Sequence, residues 1–389
     1  MTSYSRKNGA IILCAAYCFI EVLLSTELIY LVPMQLLSFL KYCVAAVMAV
    51  YVLIEQRNVK LNRHHLPVML CFALGALVTL FARSPHILIL VLMVVLLRDC
   101  TFDEVLKPMF YMLWAAFIFT VFMSLLDFYP NIEYERNGEW RFALGFGTPT
   151  LGQSVVLFLF LTKFYLSRNS KNVAWIVFYL LLSVVVYIFT AARTGFYLSL
   201  AAVVLIVAYK LLSGRAAFKK LSSSFAVALI SAVLPFAFLL LTLLLTKLYE
   251  AGVPFAVKLN QLLSTRLLLQ MNAINDRAVT LFGQIIVWFT SEGIYIGIDN
   301  SYLYHLYNYG LVVFFGALLA YGYMLVGAWR RGDSCMILIL VIILIDAMVE
   351  PYMLDFKYNY FILCIGGYVR RRIFQSSAAV RGVRPQGVQ

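Results

Sequence analysis

The chain has 389 residues, 63% of them hydrophobic and only 13% charged, with a mean hydropathy of +0.90. A water-soluble domain lies nearer half apolar and a quarter charged, so composition excludes a soluble enzyme and points to a protein built for a bilayer. The net charge of +13 comes without a basic-aromatic groove or a nucleic-acid motif, so it reads as a topology signal.

Arg6 and Lys7 precede a first apolar stretch at 10–24 with no small-residue cleavage site, which predicts a retained first helix and not a signal peptide. Further spans are predicted at 28–54, 66–82, 86–98, 108–126, 152–166, 173–190, 195–212, 223–246, 304–328, 335–349 and 358–369. Such runs approach the roughly 20 residues that cross a hydrocarbon core. The expectation is therefore an all-α polytopic membrane protein of about 12 transmembrane helices (10–12), with both termini on one side. Connections on that side hold 21 of the 31 Lys and Arg residues, and the acidic residues lean to the other side. The positive-inside rule makes the basic side cytoplasmic. Residues 1–374 read as a single transmembrane domain and 375–389, rich in small residues, Arg and Pro, as a disordered cytoplasmic tail. None of the seven cysteines falls in a segment expected outside, so no disulfide framework is implied. Cys14 and Cys18, one turn apart, read as small packing residues.

Two long extracytoplasmic loops are expected, at about 127–151 and 247–303, carrying short amphipathic helices. Long connections are uncommon and are usually functional or disordered, and neither of these is low in complexity. In the second, Leu263, Leu267, Met271, Ile274, Ala278 and Leu281 follow helical spacing, with Arg266, Gln270, Ala273 and Arg277 in a stripe beside them. That pattern predicts a helix lying on the outer surface, its arginines at headgroup level. The guanidinium fork suits phosphate oxygens. Two arginines snorkelling to ordinary lipid phosphates give the same stripe.

Arg136 and Arg141 flank the first long loop's "NGEW", and Arg193 sits in "TAARTGF", a very short outer turn. An arginine so close to the bilayer needs a partner, whether a salt bridge, a carbonyl or a ligand. Five arginines on one face, Arg136, Arg141, Arg193, Arg266 and Arg277, suit an anionic ligand, and diphosphate is the natural group at that depth. Candidate bases are Glu292, Asp299, His305 and Glu350. Any of these can deprotonate a sugar hydroxyl, and spacing selects none. Asp299-Asn300 also reads as a helix N-cap, and His305 as a polar packing group. Charge within the spans is sparse (Glu21, Lys41, Asp346), which argues against a transporter or flippase path. His64-His65 lacks metal spacing, and neither a P-loop nor a dinucleotide fingerprint occurs, so no cofactor, nucleotide or metal is expected.

The order of these features resembles the Wzy-type polysaccharide polymerases of the O-antigen polymerase and ligase superfamily. Four stretches carry the resemblance: "RFALGFGTPTLG" (141–152), "TAARTGF" (190–196), "LLSTRLLLQMNAIND" (262–276) and "GIDNSYLYHLYNYGL" (297–311). Gly145, Phe146, Pro149 and Asn300 match the motifs, whereas Thr148 and Thr150 stand where His and Asn are expected, so no role passes to an imidazole or amide there. The resemblance implies a glycosyltransferase on the outer face of the bacterial plasma membrane. It would join oligosaccharide repeat units carried on undecaprenyl diphosphate, with donor and acceptor lipids both bound. It also implies work beside a chain-length regulator and a flippase of the same pathway. Arginines would stabilise the departing diphosphate, and a carboxylate or His305 would serve as base. A ligase of the same superfamily and a lipid-linked oligosaccharide flippase are the alternatives.

Overall fold

The computed structural model describes residues 3–56, 66–136, 139–288 and 296–368. Within them helices dominate, and the one sheet is a two-stranded hairpin. Among the described residues six helices are long and apolar enough to cross a membrane: α2 (Met34–Gln56), α5 (Phe102–Leu125), α6 (Pro149–Leu166), α8 (Arg193–Leu212), α10 (Phe225–Glu250) and α13 (Ser301–Arg330). Shorter apolar helices, α3 (Leu66–Ala82), α4 (His86–Leu96), α7 (Ala174–Thr190) and α14 (Ser334–Asp346), pack among them, with α1 (Ser3–Leu23) at the start and the short α9 (Ala216–Ser222) between α8 and α10. The bundle turns large apolar side chains outward, among them Leu53, Leu80, Ile188, Phe225 and Leu240. In water that surface would aggregate. The chain is an all-α membrane protein.

α6 is buried along nearly its whole length and forms the centre of the bundle. Its Gln153 donates to Ser183 of α7 and, at 3.2 Å, to Ser199 of α8, while Gly195 lets α8 approach that side chain. One end of the bundle gathers the starts of α1, α5 and α14 with the ends of α6, α8 and α13. Lys7 pairs with Glu104 at 3.3 Å, and Arg168 grips Asp103 with two bonds of 2.8 Å. Lys210 donates to the carbonyls of Ser167, Arg168 and Ser170, and Tyr165 donates to Asp333 at 3.1 Å. The opposite end carries the two long loops.

Helix positions follow the apolar runs closely, and the departures have local causes. The span expected at 28–54 splits into a 3-10 turn, Glu27–Tyr30, and α2, because Pro33 supplies no amide and restricts the residue before it. α5 begins at Phe102, six residues before the expected start, through a capping box: the Thr101 hydroxyl accepts from the Glu104 amide, and the Glu104 carboxylate accepts from the Thr101 amide at 2.6 Å. In the first long loop a hairpin forms where a helix was expected, β1 (Glu133–Arg136) pairing with β2 (Glu139–Phe142) so that Tyr134 faces Arg141. The second long loop holds two helices, α11 (Pro254–Leu262) and α12 (Arg266–Asp276). Ser264 and Thr265, at φ +59° and +69°, break what reads in the sequence as one amphipathic helix.

α13 is itself broken. Gly310 lies at φ +82° and ψ +170° inside it, which frees the amides of Leu311 and Val312 from their helical acceptors. The carbonyls of Thr280 and Leu281 take those amides at 2.9 and 3.3 Å. The two chains touch backbone to backbone through Gly283 and Gly310, with no room for a Cβ on either. Such discontinuous helices occur where surrounding protein re-satisfies the freed backbone groups.

Candidate functional site

α14 ends at Asp346, and the chain then runs irregularly through 347–359 before a 3-10 turn at Tyr360–Cys364. Met353, Leu354, Phe356 and Tyr358 in this segment are buried. Irregular backbone inside a bundle has no ladder of its own, so each polar group needs a partner from elsewhere. Side chains provide them. Gln270 and Asn300 donate to the Met348 carbonyl, and Arg266 donates through Nε to that of Val349. The Ser301 hydroxyl donates to the Glu350 carbonyl and accepts from the Met353 amide at 3.0 Å. Tyr321 and Asn359 each donate to the Met353 carbonyl at 2.7 Å.

Leu354 is held by two histidines. Its amide donates to His305 Nε2 at 3.2 Å, and its carbonyl lies 2.9 Å from His86 Nε2. The partners fix the protons: His305 must accept at Nε2, so it is the Nδ1–H tautomer, and His86 must donate at Nε2. Tyr309 stacks between the two rings, at 5.4 and 5.8 Å. His305 thus anchors the segment from within α13. Asn300 has the N-cap role that the sequence left open: its side-chain oxygen accepts from the Leu303 amide at 3.0 Å.

Against this segment lies a buried ion pair. Arg266, the first residue of α12, donates through Nη2 to Glu350 and through Nη1 to the Thr194 hydroxyl at 3.1 Å. Arg266 is 4% exposed and Glu350 3%. The left-handed residues before α12 turn Arg266 inward, which corrects the expectation of a surface stripe shared with Arg277. Burial pushes the Glu350 carboxyl up, Arg266 draws it back and Asp299 adds a further push, leaving it at about 7 against an ordinary 4.5. Asp346, one turn earlier and 2% exposed, brings a second carboxyl whose Oδ2 has no hydrogen-bond partner. A carboxyl near neutrality, fixed by an arginine, can take up or release one proton at working pH.

The short α7–α8 turn draws three of the five singled-out arginines together. Arg141 donates from β2 to the Thr190 carbonyl at 2.9 Å, Arg266 reaches Thr194, and exposed Arg193 opens α8 between them. Arg277 stands apart at the far end of α12, where it lines a cavity of about 270 Å³. Arg136 falls in β1, and Glu292 lies outside the described residues. No family profile, curated protein or solved structure matches this chain.

The glycine-rich motif serves the frame around the site. Gly145 adopts φ +79°, and a Cβ on it would meet Ser124, Thr120 and Tyr129 at 2.8 Å, so no side chain fits there. Its carbonyl accepts from the Glu27 amide at 2.8 Å, and the Gly147 amide donates to Ser25 at 3.0 Å, tying the loop to the end of α1. Phe146 is fully buried against Phe117, and Pro149 opens α6 as its first residue. Sequence reasoning missed Lys357, which pairs with the carboxylate of Asp355 at 3.2 Å, and the link from Glu21 to Lys41 at 3.0 Å beside them. Pro351, just after Glu350, was the available sign that α14 stops early.

Proposed function

We propose that this chain is a membrane glycosyltransferase that polymerises undecaprenyl-diphosphate-linked repeat units into a cell-surface polysaccharide on the outer face of the bacterial plasma membrane. In this reading the chain crosses the bilayer about twelve times (10–12), with both termini cytoplasmic and the end carrying the long loops outside. The observation that carries the reading is the meeting of Arg141, Arg193 and the Arg266–Glu350 pair around the α7–α8 turn. Exposed Arg193, at the start of α8, meets the donor diphosphate with help from the helix dipole. Glu350 takes the proton of the acceptor hydroxyl as it attacks the anomeric carbon, and the lipid diphosphate leaves with the bonding electron pair. Arg266 holds Glu350 in place and keeps its affinity for protons near neutrality. His305 and Asn300 act as anchors of the 347–359 segment in this scheme, and Asp299 tunes Glu350.

The test is the profile of lipid-linked intermediates in a strain lacking the gene, complemented with wild type, Arg193→Ala or Glu350→Gln. Inserted but inactive variants should accumulate single repeats on the lipid carrier. Polymer of normal length from both variants would remove the proposal.

A further inference from the structure

The end of the bundle opposite the long loops holds a second cavity, of about 310 Å³, between the end of α8, the short α9 and the junction of α13 with α14. Tyr209, Phe218 and Trp329 give it aromatic walls, and Ser213, Lys219 and Ser334 are among its polar ones. The Tyr209 and Phe218 rings meet edge to face at 5.8 Å, and the Tyr209 hydroxyl lies 3.2 Å from that of Ser334. Lys219, Ser223 and Gly332 are exposed, so the mouth is open. α9 itself buries no residue, and around it Leu211, Leu221 and Phe225 are 69%, 64% and 76% exposed. A basic helix flanked by bare apolar side chains fits a segment lying at a membrane interface.

The cations around this cavity lack counter-charges. Elsewhere at the same end Lys7 takes Glu104, Arg168 takes Asp103, and Lys210 takes three carbonyls. Among the described residues no ion pair includes Arg215, Lys219 or Lys220. The sequence has no carboxylate side chain between Glu139 and Glu250. Asp333, next to two lining residues in the chain, is committed to the Met336 amide at 3.0 Å and the Tyr165 hydroxyl at 3.1 Å. The lining thus contains one cation, Lys219, and no acid. That set discriminates between headgroups. A phosphodiester with a single negative charge gains the lysine, whereas the ammonium of a zwitterionic headgroup would meet a like charge and no carboxylate. The hydroxyls of Ser213 and Ser334 offer the donors and acceptors that glycerol hydroxyls require.

We propose that this cavity holds the headgroup of an anionic glycerophospholipid of the phosphatidylglycerol class, its phosphate on Lys219 and its acyl chains along Leu211 and Phe225. Basic pockets between spanning helices bind anionic headgroups in this way. Such a lipid would fasten α9 to the α13–α14 junction, a link that α9 does not make through buried side chains of its own. The inference rests on the chain being a membrane protein and not on the reaction assigned to the other end.

The test uses the full-length protein in detergent and native mass spectrometry. Its probes are phosphatidylglycerol, phosphatidylethanolamine and glycerophosphoglycerol, the headgroup without acyl chains. One phosphatidylglycerol should bind with about fivefold preference over phosphatidylethanolamine, and Lys219→Gln should erase that preference. Lys220→Gln removes an equal charge from the next residue, outside the lining, and should keep it. Lys219 is exposed, so its replacement leaves the fold intact. Equal binding of the two lipids to the wild-type protein overturns the proposal, as does a preference that survives Lys219→Gln. An equal loss in both lysine variants also overturns it, since that marks general attraction to a basic surface. Competition by glycerophosphoglycerol at the concentration of the lipid overturns the assignment to a membrane lipid and leaves a site for a soluble phosphodiester.

Discussion

At one end of the bundle, charges meet where water reaches them: Lys7 with Glu104, Arg168 with Asp103, Lys210 with three carbonyls. At the other end the decisive pair, Arg266 with Glu350, is buried, and backbone groups are satisfied one by one by Gln270, Asn300, Ser301, His86 and His305. The first design is redundant, since losing one exposed pair leaves two solvated groups. The second has no spare parts. A missing side chain there strands a donor or acceptor in a place without bulk water. Sites that perform chemistry are commonly built the second way, with stability and pre-organisation drawn from the same bonds.

Substitutions can break this contrast, starting with the largest effect. Gly310→Ala or Gly283→Ala would drive a Cβ into opposing backbone. We expect a loss of about 4 kcal/mol or more, seen as disappearance of the monodisperse peak in detergent size-exclusion chromatography. Next come Arg266→Met and Glu350→Leu, each expected to cost about 3–5 kcal/mol by thermal unfolding, the first because it strands a buried carboxyl without its partner and the second because it leaves a lone buried guanidinium. The double variant should recover most of that loss while staying inactive. Failure to recover would show that the pair's bonds to Thr194 and Val349 matter more than its charge balance.

A third prediction concerns pH. Glu350 titrates at about 7 in the fold against an ordinary 4.5, so its contribution favours the folded state below the ordinary value and is lost as pH rises through about 7. If its carboxylate is the base, chain growth should rise over the same window. Asp299→Asn removes one of the influences holding the value up, so the midpoint of a pH–rate profile should move down. An unmoved midpoint would assign the titration to another group. Thr194→Val, which removes a 3.1 Å bond to Arg266, should cost about 1 kcal/mol. Smallest of all, Lys7→Gln should change stability by less than about 1 kcal/mol, and high salt should erase even that.

The helices were legible because hydropathy and span length are local properties. The elements α3, α7 and α8 begin and end within two residues of the apolar runs that announce them. The Asn300 cap was legible too, through its residue type. The hairpin was signalled by Asn137-Gly138, the dipeptide most typical of tight hairpins, but a composition-led reading passes over it. What no local pattern contains is pairing at a distance. Arg266 and Glu350 were both singled out as site residues, yet in different roles, and nothing in the sequence joins them. His305 looked like a candidate base because the sequence hides the Leu354 amide that occupies its Nε2. Arg277 and Arg266 seemed equivalent until two left-handed residues separated their environments.

The seam between residues 280–283 and the gap in α13 has a consequence for anyone recombining proteins of this shape. Surface loops ordinarily tolerate exchange and insertion because nothing inside depends on them. Here the loop supplies acceptors for two amides of the helix, and two glycines set the distance between them. A graft of the loop alone would leave that helix with orphaned amides, and a graft of the helix alone would leave Gly283 pressed against a foreign surface. The smallest transplantable module is therefore the whole stretch 254–330, cavity included.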